Sequence, residues 1–72
     1  MNGLIDSQCI AENIKRIRLS NKLTQMDMAD LLGYSERQIR RLETEGTSSL
    51  AVINMIAKRF NVSALSILVS ND

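Results

Sequence analysis

The sequence predicts an all-α domain of five short helices, and three observations carry that reading. Apolar residues recur at intervals of three and four through most of the chain, with no stretch of strict alternation. Cap-forming residues, Thr24, Ser35 and Ser63, stand just ahead of such runs, while Gly33 and Asn61 stand just behind them. The chain is 44% hydrophobic with one Phe, one Tyr and no Trp, so aliphatic side chains must build the core.

The first helix carries Ile10, Ile14 and Ile17 on one stripe, with Cys9 in its first turn as a small, partly buried side chain. A second helix runs from about Gln25 to Leu32. Thr24 caps it, Asp27 completes a capping box, Leu23 and Met28 form a hydrophobic staple, and Gly33 closes it; Met28, Ala29, Leu31 and Leu32 face inward. Ser35 opens the third helix with Gln38 in the reciprocal box position, and Tyr34 with Ile39 repeats the staple. The fourth helix presents Leu50, Ile53, Ile56, Ala57 and Phe60 to the core and ends at Asn61. Met26, Met28 and Met55 read as gap-fillers in that core. The last helix, about residues 63–69, is apolar on more than one face. One face covers the core, and the surplus, at Leu65, Leu68 and Val69, predicts an isologous contact with a second copy.

Two short helices joined by a glycine turn, about residues 24–44, make a helix-turn-helix. On the second of them Ile39 and Leu42 point inward, Arg37, Arg41 and Thr44 lie nearly opposite, and Arg40 lies to one side with Glu36 and Gln38 on the flanks. A helix needing only solubility would mix its charges. Three guanidiniums within five positions suit phosphates and guanine edges instead.

The segment resembles the Cro and lambda-repressor-like (XRE) helix-turn-helix family: Gln25 opens helix 2, Ala29 is the small residue four on, Gly33 is the turn and Ile39 the branched aliphatic of helix 3. Ile14 to Gln25 is similar to the family's first helix and its link, and Ser49 to Leu68 to its fourth and fifth helices. The resemblance implies a five-helix lambda-repressor-like DNA-binding domain over residues 1–72. It further implies that Gln25 bonds a phosphate and a residue of the reading helix, that Glu36, Arg37 and Gln38 meet base edges, and that Arg40 and Arg41 contact bases or backbone. Arginine matches guanine, glutamine adenine and glutamate cytosine. Arg18 and Glu43 match a partly buried ion pair that ties helix 1 to the end of helix 3. The chain departs from the pattern at Glu43 to Leu50, a segment about one residue shorter than usual and without proline, where Glu45 would repel a phosphate. The resemblance is weakest there, at Gly46, Thr47 and Ser48.

Composition narrows the function further. A net charge of +1 is not the balance of a protein that coats nucleic acid indiscriminately, so the basic signal is local. Lys15, Arg16 and Lys22 read as an ordinary solvated face, and Lys58 and Arg59 suit the dipole at the end of helix 4. With no histidine and one cysteine, neither a metal site, a cofactor nor an enzyme is expected. The start lacks the features of a secretory signal and no run reaches spanning length, which predicts a cytoplasmic protein. Residues 1–4 and 70–72 read as frayed ends, and the initial Met and tapering end predict a complete chain. The resulting reading is a homodimeric transcriptional regulator, a repressor, with helix 3 of each copy in successive major grooves of an approximately palindromic operator. The alternative is the DNA-binding antitoxin of a toxin-antitoxin pair, whose main partner is a toxin protein. A protein-binding module without DNA contact is a third reading, against which the outward arginines argue.

Overall fold

A computed structural model describes residues 6–70, and in them the backbone forms five helices and no strand. They are α1 (Ser7–Ser20), α2 (Gln25–Leu32), α3 (Glu36–Glu45), α4 (Leu50–Phe60) and α5 (Ala64–Leu68). The expected frayed residues 1–4 and 71–72 lie outside the described residues. Every helix start is capped by a side chain: Asp6, Thr24, Ser35, Ser49 and Ser63 each accept a backbone N–H from the first turn that follows. Three helix ends share one geometry. Lys22, Gly33 and Asn61 adopt positive φ, and the next amide reaches back five residues, from Leu23 to Arg18, Tyr34 to Ala29 and Val62 to Ala57.

The helices pack in a closed circuit in which α1 touches α3 and α5, α2 touches α3 and α4, and α4 touches α5. The core between them is aliphatic: Ile10 and Ile14 from α1, Met28, Ala29 and Leu32 from α2, Ile39 from α3, Ile53, Ile56 and Ala57 from α4, and Ile67 from α5. Ile17, Tyr34, Leu42, Met55, Phe60 and Leu68 pack around it. Arg59 ties α4 to α2 by donating from Nε and Nη2 to the Leu31 carbonyl at 3.3 and 2.9 Å, filling an acceptor that the helix end leaves open.

Three residues expected inside stand outside. Leu50 is 61% exposed, because side chains lean toward the N-terminus of their helix and the first residue of α4 therefore leans off its end. Leu31 and Met26 are 40% and 50% exposed, since the buried stripe of α2 centres on Met28, Ala29 and Leu32 and both lie more than a quarter turn from that centre.

The link from α3 to α4 is held against the start of α1. Gly46 has φ 75° and ψ −163°, a region essentially reserved for glycine. A Cβ built there would stand 2.2 Å from the Ser7 carbonyl oxygen. Gly33, also at positive φ, has open space around it. Gly46→Ala should therefore cost about 2 kcal/mol or more from strain and overlap together, and Gly33→Ala about 1 kcal/mol from backbone strain alone. Urea unfolding of the two variants beside the parent checks this; equal losses would show that the contact with Ser7 relaxes freely.

Candidate nucleic-acid interface

Helix α3 is positioned by a network at its far end. Glu43 is almost fully buried and accepts from Arg18 Nε at 2.6 Å, from Arg18 Nη2 at 3.1 Å and from Gln25 Nε2 at 3.2 Å. Arg18 also donates from Nη1 to the Leu23 carbonyl at 2.9 Å. One carboxylate thus gathers α1, the link after it, the first residue of α2 and the last turn of α3. The expected bond from Gln25 to the reading helix is this one, to Glu43. The fork of Arg18, with Nε and Nη2 on one carboxylate and Nη1 on a backbone carbonyl, offsets much of the cost of burying the two charges.

At its near end α3 is closed by a capping box: Ser35 Oγ accepts the Gln38 amide at 3.1 Å and Gln38 Oε1 accepts the Ser35 amide at 2.7 Å. The corresponding box on α2 joins Thr24 and Asp27 at 3.0 Å in both directions. The Thr24 amide, and then its hydroxyl, hold the Asp27 carboxyl below the ordinary carboxylate value. A depressed folded-state value means that this cap contributes fully above the ordinary value and is lost only as pH falls through the lowered one. The cap at the start of α2 therefore persists across the neutral range.

Between these two fixed ends α3 exposes its polar face. Arg37, Arg40, Arg41, Thr44 and Glu45 line one shallow recess. Arg40 lies 3.9 Å from Glu36 and Arg41 lies 3.5 Å from Glu45, both as exposed pairs one helical turn apart. Such pairs contribute only about 0.3–0.5 kcal/mol, so a phosphate readily displaces either carboxylate. Arg37 is exposed and, among the described residues, has no carboxylate within ion-pair distance.

Two side chains are more constrained than sequence reasoning expects. Pairing with adenine needs both the oxygen and the nitrogen of a glutamine amide, and the capping box occupies Oε1 of Gln38. With the box closed, one lone pair of Oε1 is taken and the amide is held toward the Ser35 backbone, so Gln38 offers outward chiefly its NH2. Thr44 Oγ1 donates its single proton to the Arg40 carbonyl at 2.8 Å, so it faces outward as a methyl group and an acceptor. Tyr34, half-buried beside Gln38 and Arg41, borders a second recess between α3 and α4 together with Leu42, Glu45, Gly46 and Val52.

On α5, Leu65 is 63% exposed, while Leu68 and Val69 are half-buried. Sequence reasoning missed Asn13, which is 2% exposed and donates to the carbonyls of Ile67 and Val69, each at 2.8 Å. A signal was present: Asn13 interrupts the stripe of Ile10, Ile14 and Ile17, where a polar residue must find partners. Among the described residues no group of His, Cys, Asp and Glu is placed to hold a metal ion, and no helix is long and apolar enough to cross a membrane.

Comparison with known proteins follows the same lines. Residues 14–67 match the family model HTH_3, described as helix-turn-helix. The chain is 40% identical over 60 residues to Antitoxin PezA of Streptococcus pneumoniae serotype 4; the match takes in 81% of this chain and 37% of that protein, so the chain spans little more than a third of that relative's length. Among solved structures, the restriction-modification controller protein C.AhdI from Aeromonas hydrophila superposes with a TM-score of 0.76 at 19% identity, over 88% of this chain and 97% of that one. Hydroxypropylphosphonic acid epoxidase from S. wedmorenis superposes with a TM-score of 0.78 at 24% identity, over 92% of this chain but only 36% of the epoxidase. At these identities both likenesses are of fold.

The Glu43 network carries its own test. Replacing Glu43 by Leu should destabilise the domain by about 3–5 kcal/mol, because Arg18 is left buried and uncompensated, whereas Arg18→Met combined with Glu43→Leu should cost much less. Chemical denaturation of the parent, the single and the double variant measures both. Small and equal losses would mean that solvent reaches the pair.

Proposed function

Since the chain belongs to the helix-turn-helix family HTH_3, we propose that it is a DNA-binding transcriptional repressor, binding an approximately palindromic operator as a homodimer. The observation that carries this reading is the exposed face of α3, where Arg37, Arg40 and Arg41 project from a helix locked at both ends by buried or capped groups. A reading helix must hold its backbone still before the DNA arrives, and α3 is fixed at both ends.

In this reading α3 lies in the major groove with Glu36, Arg37 and Gln38 toward the base edges. Arg37, with no carboxylate to give up, takes a guanine edge through its planar fork. Arg40 and Arg41 exchange Glu36 and Glu45 for phosphates, and Thr44 meets the groove wall. Gln25 sits where its amide, already shared with Glu43, borders the backbone. Gln38 contributes a donor rather than the paired contact with adenine. Leu65, Leu68 and Val69 of α5 form the contact between the two copies, bringing both reading helices to one face of the duplex. A dimer with two linked half-sites supplies the affinity that a single copy of net charge +1 lacks. Repression follows from occupancy of the operator, and the site of action is the cytoplasm. The likeness to the epoxidase covers about a third of that enzyme, and we read this chain as a binding protein and not an enzyme.

The kinship with Antitoxin PezA supports a second reading, in which the same DNA-binding domain belongs to an antitoxin and a toxin protein is its main partner. Purification from the native host discriminates: a stoichiometric protein partner favours the antitoxin, and its absence with operator DNA retained favours the stand-alone repressor.

Selection from random duplex DNA should recover a dyad-symmetric site with half-site centres about 10 bp apart. Recovery of unrelated, asymmetric sequences would overturn the dimeric operator. Arg37→Ala should then cost about 1–3 kcal/mol and relax one position in each half-site, while Arg40→Ala or Arg41→Ala should weaken all sequences alike and reduce the salt dependence by about one counterion each. Leu65→Asp should leave the helical signal intact, split the dimer in the ultracentrifuge and lower operator affinity steeply.

A further inference from the structure

We propose that Asn13 is a positioning residue for the contact between copies: from α1 it sets the direction in which α5 presents Leu65. The inference rests on the homodimer reading above. Asn13 Nδ2 carries two hydrogens; the Ile67 and Val69 carbonyls stand at 2.8 Å from it, and Cys9 Sγ, a weak acceptor, at 3.6 Å. Those carbonyls lie at the end of α5, where a helix has no partners of its own to offer them. The residue that closes α5, Val69, is extended, so the left-handed closure used by α1, α2 and α4 is absent there.

A helix of five residues does not hold its shape unaided. At its start α5 has the Ser63 cap, and in its middle Ile67 is fully buried. Ala64 and Leu68 pack against the core beside it, and these non-directional apolar contacts set how deep the helix lies while resisting its roll only weakly. Two hydrogen bonds to carbonyls two residues apart remove what freedom is left. Leu65 is two residues before Ile67, about 200° round the axis, so any roll about Ile67 swings Leu65 and its half-buried neighbours Leu68 and Val69 away from a partner's matching face. An isologous interface tolerates this badly, because the same error enters twice. The reading helix stands apart from this contact: Arg18, which holds α3, is five residues along α1 and about 140° round it.

The test uses the full chain with Asn13→Leu, which suits the apolar stripe but cannot donate, and Asn13→Asp, which keeps the shape without the donors. Sedimentation equilibrium gives the dimer constant, amide hydrogen exchange reports each helix, and a short random-sequence duplex at low salt probes a single copy's DNA face. Both variants should raise the dimer dissociation constant about tenfold or more, lose protection in residues 64–69 while keeping it in α2 and α3, and bind the short duplex within about twofold of the parent. A tandem of two Asn13→Leu copies joined by a flexible linker should recover most of the lost operator affinity. If the parent dimerises and the variants dimerise as tightly, the role of Asn13 is overturned and the homodimer stands. If the parent never associates, the homodimer reading falls. Loss of protection throughout the chain in both variants would make Asn13 a general core residue and overturn its positioning role.

Discussion

Glu43 is the point on which the rest of the structure turns. A domain of 72 residues has little apolar surface to spare, and at this size the total stability is only several kcal/mol. Burying a carboxylate and a guanidinium in it is costly unless geometry recovers the loss, and an apolar pair of similar volume would stabilise the fold as well or better. What an apolar pair would not do is point. Arg18 and Gln25 reach Glu43 from two other helices along fixed donor directions, so α3 is held in rotation as well as in position. The arginines on its outer face inherit that orientation.

The outer face is then built from weak, replaceable contacts. Glu36 and Glu45 each sit one turn from an arginine, close enough to neutralise it in the free protein and too loosely paired to keep it. Together with a net charge of +1, this keeps attraction to arbitrary DNA low. In the proposed reading, affinity then comes from shape and from base edges. Gln38 and Thr44 follow the same economy, since each spends part of its hydrogen-bonding capacity on the helix that carries it.

Local features were the legible part of the sequence. Both capping boxes, the glycine turn, the bounds of α2 and the pairing of Arg18 with Glu43 agree with what the residues and the family resemblance imply, because each is decided within a few positions or by a motif with a known partner. The features that escaped depend on what another helix brings near. Nothing around Gly46 announces that Ser7 lies against it, and the exposure of Leu50 follows from where α4 begins and not from its spacing. Asn13 was visible as an irregularity in an apolar stripe, but its partners lie 54 and 56 residues away. The bonds that Gln38 and Thr44 make within α3 lie beyond composition for a different reason: residue type shows what a side chain can bond, and only geometry shows which of those bonds is already made.

The close approach of Gly46 to Ser7 has a consequence for how such a domain diversifies. With position 46 barred to every side chain, the junction after the recognition helix has no room to drift by substitution, and change is channelled to either side of it. Residues 36, 37, 38, 40, 41 and 44 face solvent or its border and carry no core weight, while Ile39, Leu42 and Glu43 carry the packing and the anchor. If α3 reads DNA as proposed, positions that determine sequence preference are thereby separated from positions that keep the chain folded. On that reading a lineage acquires a new operator by exchanging a handful of exposed side chains, leaving the frame that aims them untouched.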